Sequence, residues 1–214
     1  MQRHRLYATM LTATDIACVR GDRRLFSGLG FTLEAGAWIY LTGENGSGKT
    51  SLLRILVGLS PAEAGEIRWD GVAIGRLGDE YRRVVTYLGH HNALKEELTA
   101  RENLSSGAAL AGVNLDIARA DAILAEVGLA GREELSVRFL SQGQKRRVAL
   151  ARLLWSESPL WILDEPFVAL DAAAVLWLAG TLANHLAAGG MAILTSHQEV
   201  LIAGSIMQTL RLAA

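Results

Sequence analysis

Residues 43–50 read GENGSGKT, and they limit what this chain can fold into more than any other stretch. An apolar run, WIYLTG, leads into them at 38–43, and an amphipathic run, KTSLLRILVGL, leaves from Lys49. A strand that turns at once into a helix needs residues tolerant of unusual backbone angles, and Gly43, Gly46 and Gly48 supply them. With the backbone curled this way, successive N–H groups point inward, and the helix N-terminus behind them adds its partial positive charge. The result is a cradle for phosphate oxygens made of Gly43, Glu44, Asn45, Gly46, Ser47, Gly48, Lys49, Thr50 and Ser51. Lys49 is expected against the β and γ phosphates of a nucleotide, and the Thr50 hydroxyl on Mg²⁺. An ordinary glycine-rich turn is the competing reading, and the strand and helix flanks weigh against it.

Three more short apolar runs read as buried strands, at 84–89 (VVTYLG), 160–165 (LWILDE) and 191–196 (MAILTS). Helical spacing occupies 114–129 and runs from Gln144 toward Pro159, so strands alternate with helices. The pattern predicts an α/β fold with a mainly parallel sheet. From about 99 to 135 the pattern is wholly helical, which predicts a helical subdomain, about 99–155, inserted in the sheet domain. A length of 214 residues suits one large domain with such an insertion.

With 21 basic against 22 acidic residues there is no basic field, so no nucleic-acid partner is expected. The single cysteine, Cys18, excludes an intrachain disulfide and reads as a small buried hydrophobe in a reducing compartment. The longest apolar stretch, 172–183, ends at Asn184 and His185, short of the about 20 residues a membrane span needs. No sustained apolar segment precedes Asp15, so a secretory signal is not expected and the chain reads as cytosolic. Half the residues are hydrophobic all the same. Either a large core or a face that docks on a membrane partner accounts for that.

A phosphate cradle needs a second element, and LWILDEP at 160–166 offers one. Asp164 emerges at the carboxyl end of a buried strand, where ligands bind in open parallel sheets. It can hold Mg²⁺, while Glu165 can act as general base on water. A plain turn is the other reading of Asp-Glu at a strand end. At 140–144, LSQGQ sets Ser141 at the N-cap of a basic helix, with Gly143 allowing close backbone approach. A helix cap explains that stretch alone; a second anion site explains it only if the first exists.

Together these motifs resemble the ATP-binding cassette (ABC) family over nearly the whole chain. That resemblance implies a P-loop NTPase with a mainly parallel central sheet, an antiparallel β part near the N-terminus and an inserted helical subdomain. It implies ATP and Mg²⁺ as ligands, and a head-to-tail dimer in which Ser141, Gln142, Gly143 and Gln144 of one copy face the nucleotide of the other. VALD at 168–171 stands for the loop carrying Asp171, and TSH at 195–197 for a switch histidine, His197, beside the catalytic Glu165. Two departures stand out. Arg20 occupies the place of an aromatic residue that stacks on adenine, and a guanidinium can stack on a base too. YLGH at 87–90 puts His90 where the family has a glutamine at the start of the loop facing the membrane partner, with His91 the alternative. Direct haem or metal ligation by this histidine pair is not expected, because adjacent loop residues rarely converge on one metal.

Within the family, YLGHHNALKEEL, LFSGLGFTLEAG and LSQGQKRRVALARL resemble the ATP-binding subunits of the bacterial cytochrome c maturation system. The similarity runs from about Met10 to the end and leaves residues 1–9 outside it, with Met1 and Met10 both open as the start. It implies two copies bound to integral membrane subunits on the cytoplasmic face of the inner membrane, linking ATP hydrolysis to haem export or to release of a haem-loaded periplasmic chaperone. The ATPase subunit of another small ABC importer or exporter is the alternative. A soluble ABC protein acting on DNA or ribosomes would need features absent here, and Glu165 argues against a module that binds ATP without turnover.

Overall fold

The computed structural model describes residues 9–196 and 201–212. The described residues begin with a long hairpin, β1 (Met10–Arg20) and β2 (Arg23–Glu34), turning at Gly21 with φ 60 and pairing Arg20 with Arg23. Next come β3 (Ala37–Gly43), α1 (Lys49–Leu56), β4 (Ala64–Trp69) and β5 (Val72–Ala73). Two short helices, α2 (Ile74–Leu77) and α3 (Asp79–Arg83), lead to β6 (Val85–Leu88). Helices α4 (Ala100–Leu110), α5 (Ile117–Glu126) and α6 (Gln142–Leu150) then follow one another without an intervening strand. The chain returns through β7 (Leu160–Leu163), α7 (Ala172–Ala187), β8 (Met191–Thr195) and β9 (Ile206–Leu212).

Strands β2-β1-β4-β5 form an antiparallel sheet, and β6-β7-β8-β3-β9 form a second sheet in which every pairing is parallel. The parallel sheet is the one predicted from the alternation of strands and helices, and the antiparallel sheet is the part the family resemblance implied. All residues of β7 and β8 are buried, which is why these strands read as continuous apolar runs rather than as alternating ones. Their side chains still alternate between two cores. Ile39, Leu41, Ile162 and Ile193 join α1 and the antiparallel sheet on one face, whereas Trp38, Trp161, Leu163 and Leu194 join Leu178, Leu182 and Leu186 of α7 on the other. A third core, with Leu104, Ile123, Leu124, Leu129, Leu140 and Val148, lies within the helical stretch.

Caps delimit the helices. Thr99 and Glu102 form a reciprocal capping box at α4, and Asp116 accepts from the Arg119 N–H at α5. The helical pattern read over 99–135 resolves into α4 and α5 only. Gly128 at φ 74 and Gly131 at φ 77 stop the helix, and a 3-10 turn at Val137–Phe139 is the next regular element before α6. The apolar stretch at 172–183 forms α7, and no described helix is long and apolar enough to cross a membrane. Cys18 is buried on β1 opposite Phe26, and burial raises its thiol pKa.

Candidate nucleotide site

Because β3 lies beside β8, and β8 beside β7, the carboxyl ends of all three strands meet at one edge. The 43–50 loop springs from β3 and curls back over that edge. Gly43 (φ 150) is wedged there: an added Cβ would come within 2.7 Å of Ser47 Oγ and 2.9 Å of the Leu212 carbonyl. At Gly48 (φ 100), an added Cβ would meet the Phe26 ring at 3.0 Å. Lys49 Nζ donates to the carbonyls of Gly43 (2.7 Å) and Glu44 (3.1 Å), so the cation lies along the loop it starts from. Ser47 is buried, and its Oγ has no hydrogen-bond partner among the described residues.

Opposite the loop, Asp164 is 2 % exposed and accepts from two hydroxyls, Thr50 Oγ1 at 2.8 Å and Thr195 Oγ1 at 2.8 Å. Thr195 in turn accepts from the Glu165 N–H at 2.8 Å. Glu165 is buried and holds a left-handed backbone, φ 50, a conformation costly for a residue with a Cβ. A chain of bonds thus runs from α1 through β7 to β8.

A cavity of about 490 Å³ gathers Arg20, Arg23, Lys49, Thr50, Ser51, His90, Asp164 and Glu165. It adjoins a larger one, about 1060 Å³, lined by His91, Tyr87, Arg54 and Arg152. Burial, with the Asp164 charge second, raises the Tyr87 phenol pKa, and burial lowers that of Arg152. The two histidines are therefore not equivalent. Their rings stand edge-on 5.4 Å apart, and although both line the 1060 Å³ cavity, only His90 also lines the 490 Å³ one. For Mg²⁺ the donor set fits. Thr50 and Asp164 offer hard oxygens, and among the described residues no group of three or more acidic, His or Cys side chains could hold a metal alone. Mg²⁺ is ordinarily held by one or two carboxylates together with substrate phosphates.

The LSQGQ stretch lies elsewhere. Ser141 caps α6, its Oγ accepting from the Gln144 N–H at 3.3 Å while its own N–H donates to Gln144 Oε1 at 2.9 Å. An added Cβ on Gly143 would lie 2.7 Å from the Ala169 carbonyl, so the close approach this glycine permits is used within the chain. Asp171 caps α7 through the Ala174 N–H and pairs with Arg147 of α6. Neither Ser141 nor Gly143 lines the 490 Å³ cavity. Gln142 does share a smaller one, about 240 Å³, with His90, His91 and Glu165. His197 lies outside the described residues.

Sequence reasoning missed Thr195, Arg23 and, above all, Arg146. Thr195 was in view as the first letter of TSH. Arg146 is 4 % exposed between Lys145 and Arg147, and nothing in the run KRR marks the middle residue as the buried one. Burial lowers its pKa to about 10, against the opposing pull of Asp164 and Glu165.

Residues 26–168 match the family model described as ABC transporter. The cytochrome c biogenesis ATP-binding export protein CcmA of Dechloromonas aromatica (strain RCB) is 59% identical over 203 residues, spanning 95% of this chain and 100% of that protein. A solved ATP-binding subunit of an ABC transporter superposes with a TM-score of 0.83 at 27% identity, covering 96% of this chain and 89% of the other. The ATP-binding cassette MJ0796, solved as a dimer in a post-hydrolysis state with ADP and phosphate, shares the fold at 23% identity, with a TM-score of 0.77 and 88% of each chain covered. Strand order, the phosphate loop with its facing Asp-Glu pair, and these likenesses agree: the chain is an ATPase domain of the ABC transporter family and belongs with its cytochrome c biogenesis ATP-binding export proteins.

Proposed function

We propose that this chain is the ATP-hydrolysing subunit of a membrane ABC complex in cytochrome c biogenesis, coupling hydrolysis to haem export or to release of a haem-loaded periplasmic chaperone. The observation that carries the chemistry is the bond chain Thr50–Asp164–Thr195–Glu165 beneath the phosphate loop. The relative from Dechloromonas aromatica supports the biological setting, being matched along its whole length.

In this reading, residues 43–51 wrap the phosphates, Lys49 leaves its loop carbonyls for the β and γ groups, and Arg20 stacks on the base. Thr50 and Asp164 hold Mg²⁺, which when bound neutralises charge on the transferring phosphate. Glu165 takes the proton of the attacking water. His197 senses or positions the γ-phosphate. Ser141, Gln142, Gly143 and Gln144 come from a second copy packed head to tail, with Asp171 at the junction. Support for that packing is that LSQGQ stays clear of its own chain's phosphate cavity. Residues 10–214 act as one nucleotide-binding unit with a helical insertion at about 99–155. The His90–His91 loop faces the integral membrane subunits on the cytoplasmic side of the bacterial inner membrane.

Replacing the base tests the reaction. Glu165→Gln is expected to lower Mg²⁺-ATP turnover by about 10²–10⁴-fold and to accumulate an ATP-bound dimer on a sizing column. Unchanged turnover would overturn the assignment. Extraction of the tagged protein in mild detergent tests the setting: co-purifying cytochrome c maturation membrane proteins are the expected result, and unrelated permeases would favour another small ABC transporter.

A further inference from the structure

Arg146 uses all five of its N–H donors, and every one goes to a neutral oxygen. Nη1 reaches the Gly89 carbonyl (3.3 Å) and Asn92 Oδ1 (3.0 Å). Nη2 reaches the carbonyls of Asp164 (3.0 Å) and Glu165 (2.7 Å), and Nε that of Pro166 (3.3 Å). A buried cation bound only to neutral acceptors is a poor way to gain stability, since apolar side chains of similar volume fill such space at lower desolvation cost. It is a good way to fix geometry, because the guanidinium is a rigid plane.

What that plane joins is specific. One arm grips the loop on either side of His90 and His91, and the other grips the backbone of Asp164 and Glu165, while α6 carries the side chain itself. Glu165 sits at φ 50, so the direction of its peptide depends on being held. Its N–H is fixed by Thr195 and its carbonyl by Arg146.

We infer that Arg146 and Asn92 form a positioning pair that carries the placement of the His90–His91 loop to the backbone of Glu165. This rests on the reading of Glu165 as the base for ATP hydrolysis. Neither residue lines the 490 Å³ cavity, whereas both line the 240 Å³ one together with Glu165, so the pair is expected to act on turnover more than on nucleotide binding. When the loop shifts, the guanidinium must tilt or lose a bond, and the Glu165 carbonyl moves with it.

The test is steady-state hydrolysis by the full chain with Mg²⁺-ATP, alongside binding of a fluorescent ATP analogue and thermal unfolding. Asn92 is half-buried in a loop, so Asn92→Ala should fold as the unsubstituted chain does. It is expected to lower kcat about tenfold, which is 1.4 kcal/mol, with KM, analogue binding and unfolding midpoint unchanged. Asn92→Asp restores an acceptor and should recover turnover. Arg146→Lys keeps the charge without the fork and should resemble Asn92→Ala, and the Asn92 pair decides the matter if that variant is unstable. Wild-type kcat in Asn92→Ala, failure of Asn92→Asp to recover it, or a parallel loss of ATP binding would overturn the proposal. Full turnover in Glu165→Gln would overturn the base assignment and the pair with it, whereas full turnover in Asn92→Ala alone leaves that assignment standing.

Discussion

The two ends of this molecule that resemble anion sites are built in opposite ways. At the phosphate loop, strands β3, β7 and β8 deliver Thr50, Asp164, Thr195 and Glu165 to one edge of a buried sheet, and internal bonds hold them there. At LSQGQ the polar groups are exposed, and Ser141 and Gln144 satisfy each other across the first turn of α6. The first arrangement is complete within one chain. The second has a well-formed cap, and although Gln142 shares a small cavity with His90 and Glu165, Ser141 and Gly143 line no part of the phosphate cavity of their own chain.

The contrast can be broken at its strong side first. Asp164→Ala removes the acceptor shared by Thr50 and Thr195, and turnover should fall at least about 10²-fold, as for loss of a group acting on transition-state charge. Thr195 is fully buried, so denaturant unfolding should also register a loss of roughly 1–3 kcal/mol for its O–H donor left without an acceptor, its oxygen still accepting from the Glu165 N–H. A variant that loses turnover with unchanged stability would mean that the bond chain is not structural.

Ser141 offers a sharper cut, because its two jobs respond differently to one substitution. Asp is as good an N-cap as Ser, so Ser141→Asp should leave the unfolding free energy within about 0.5 kcal/mol, whereas Ser141→Ala should lose about 1 kcal/mol. A carboxylate at that place would repel a phosphate, and Ser141→Asp should therefore lower turnover about tenfold or more while the fold holds. Normal turnover would reduce LSQGQ to a helix cap and erase the comparison.

The smallest effect is a control at the opposite end of the sheet. His185 stacks on Trp161 at 3.7 Å and bonds the Met191 carbonyl at 3.2 Å. Burial lowers its pKa, only partly offset by its bonds to the Met191 and Pro159 carbonyls. The fold thus favours the neutral ring, and the unfolded chain binds more protons once pH falls toward the ordinary histidine value near 6.5. Stability should be level above that value and decline below it, and His185→Gln should flatten the decline. Unfolding midpoints between pH 7.5 and 5 check this, and turnover measured above pH 7 should be indifferent to the substitution.

Much of the phosphate end was legible because its signals are local. A glycine spacing, a Lys-Thr pair and an apolar run ending in Asp-Glu each announce their own backbone, and parallel-sheet topology brings them together. Arg146 was illegible for the complementary reason. Its partners at Gly89, Asn92 and 164–166 lie 18 to 57 residues away, and whether a basic residue in KRR is buried depends on all of them. Helix ends fell between these cases: Gly128 gave a visible stop, whereas the turn at Val137–Phe139 follows from packing in the third core.

The hydroxyl of Thr50 already rests on Asp164, and this bears on the energetics of repeated turnover. Two groups meant for one cation usually lose conformational freedom when the cation arrives. If Thr50 and Asp164 hold Mg²⁺ as proposed, that arrangement is already reached during folding, and binding would exchange their hydrogen bond for coordination. An ATPase that rebinds its substrate at every turnover would thereby be spared reassembling that seat.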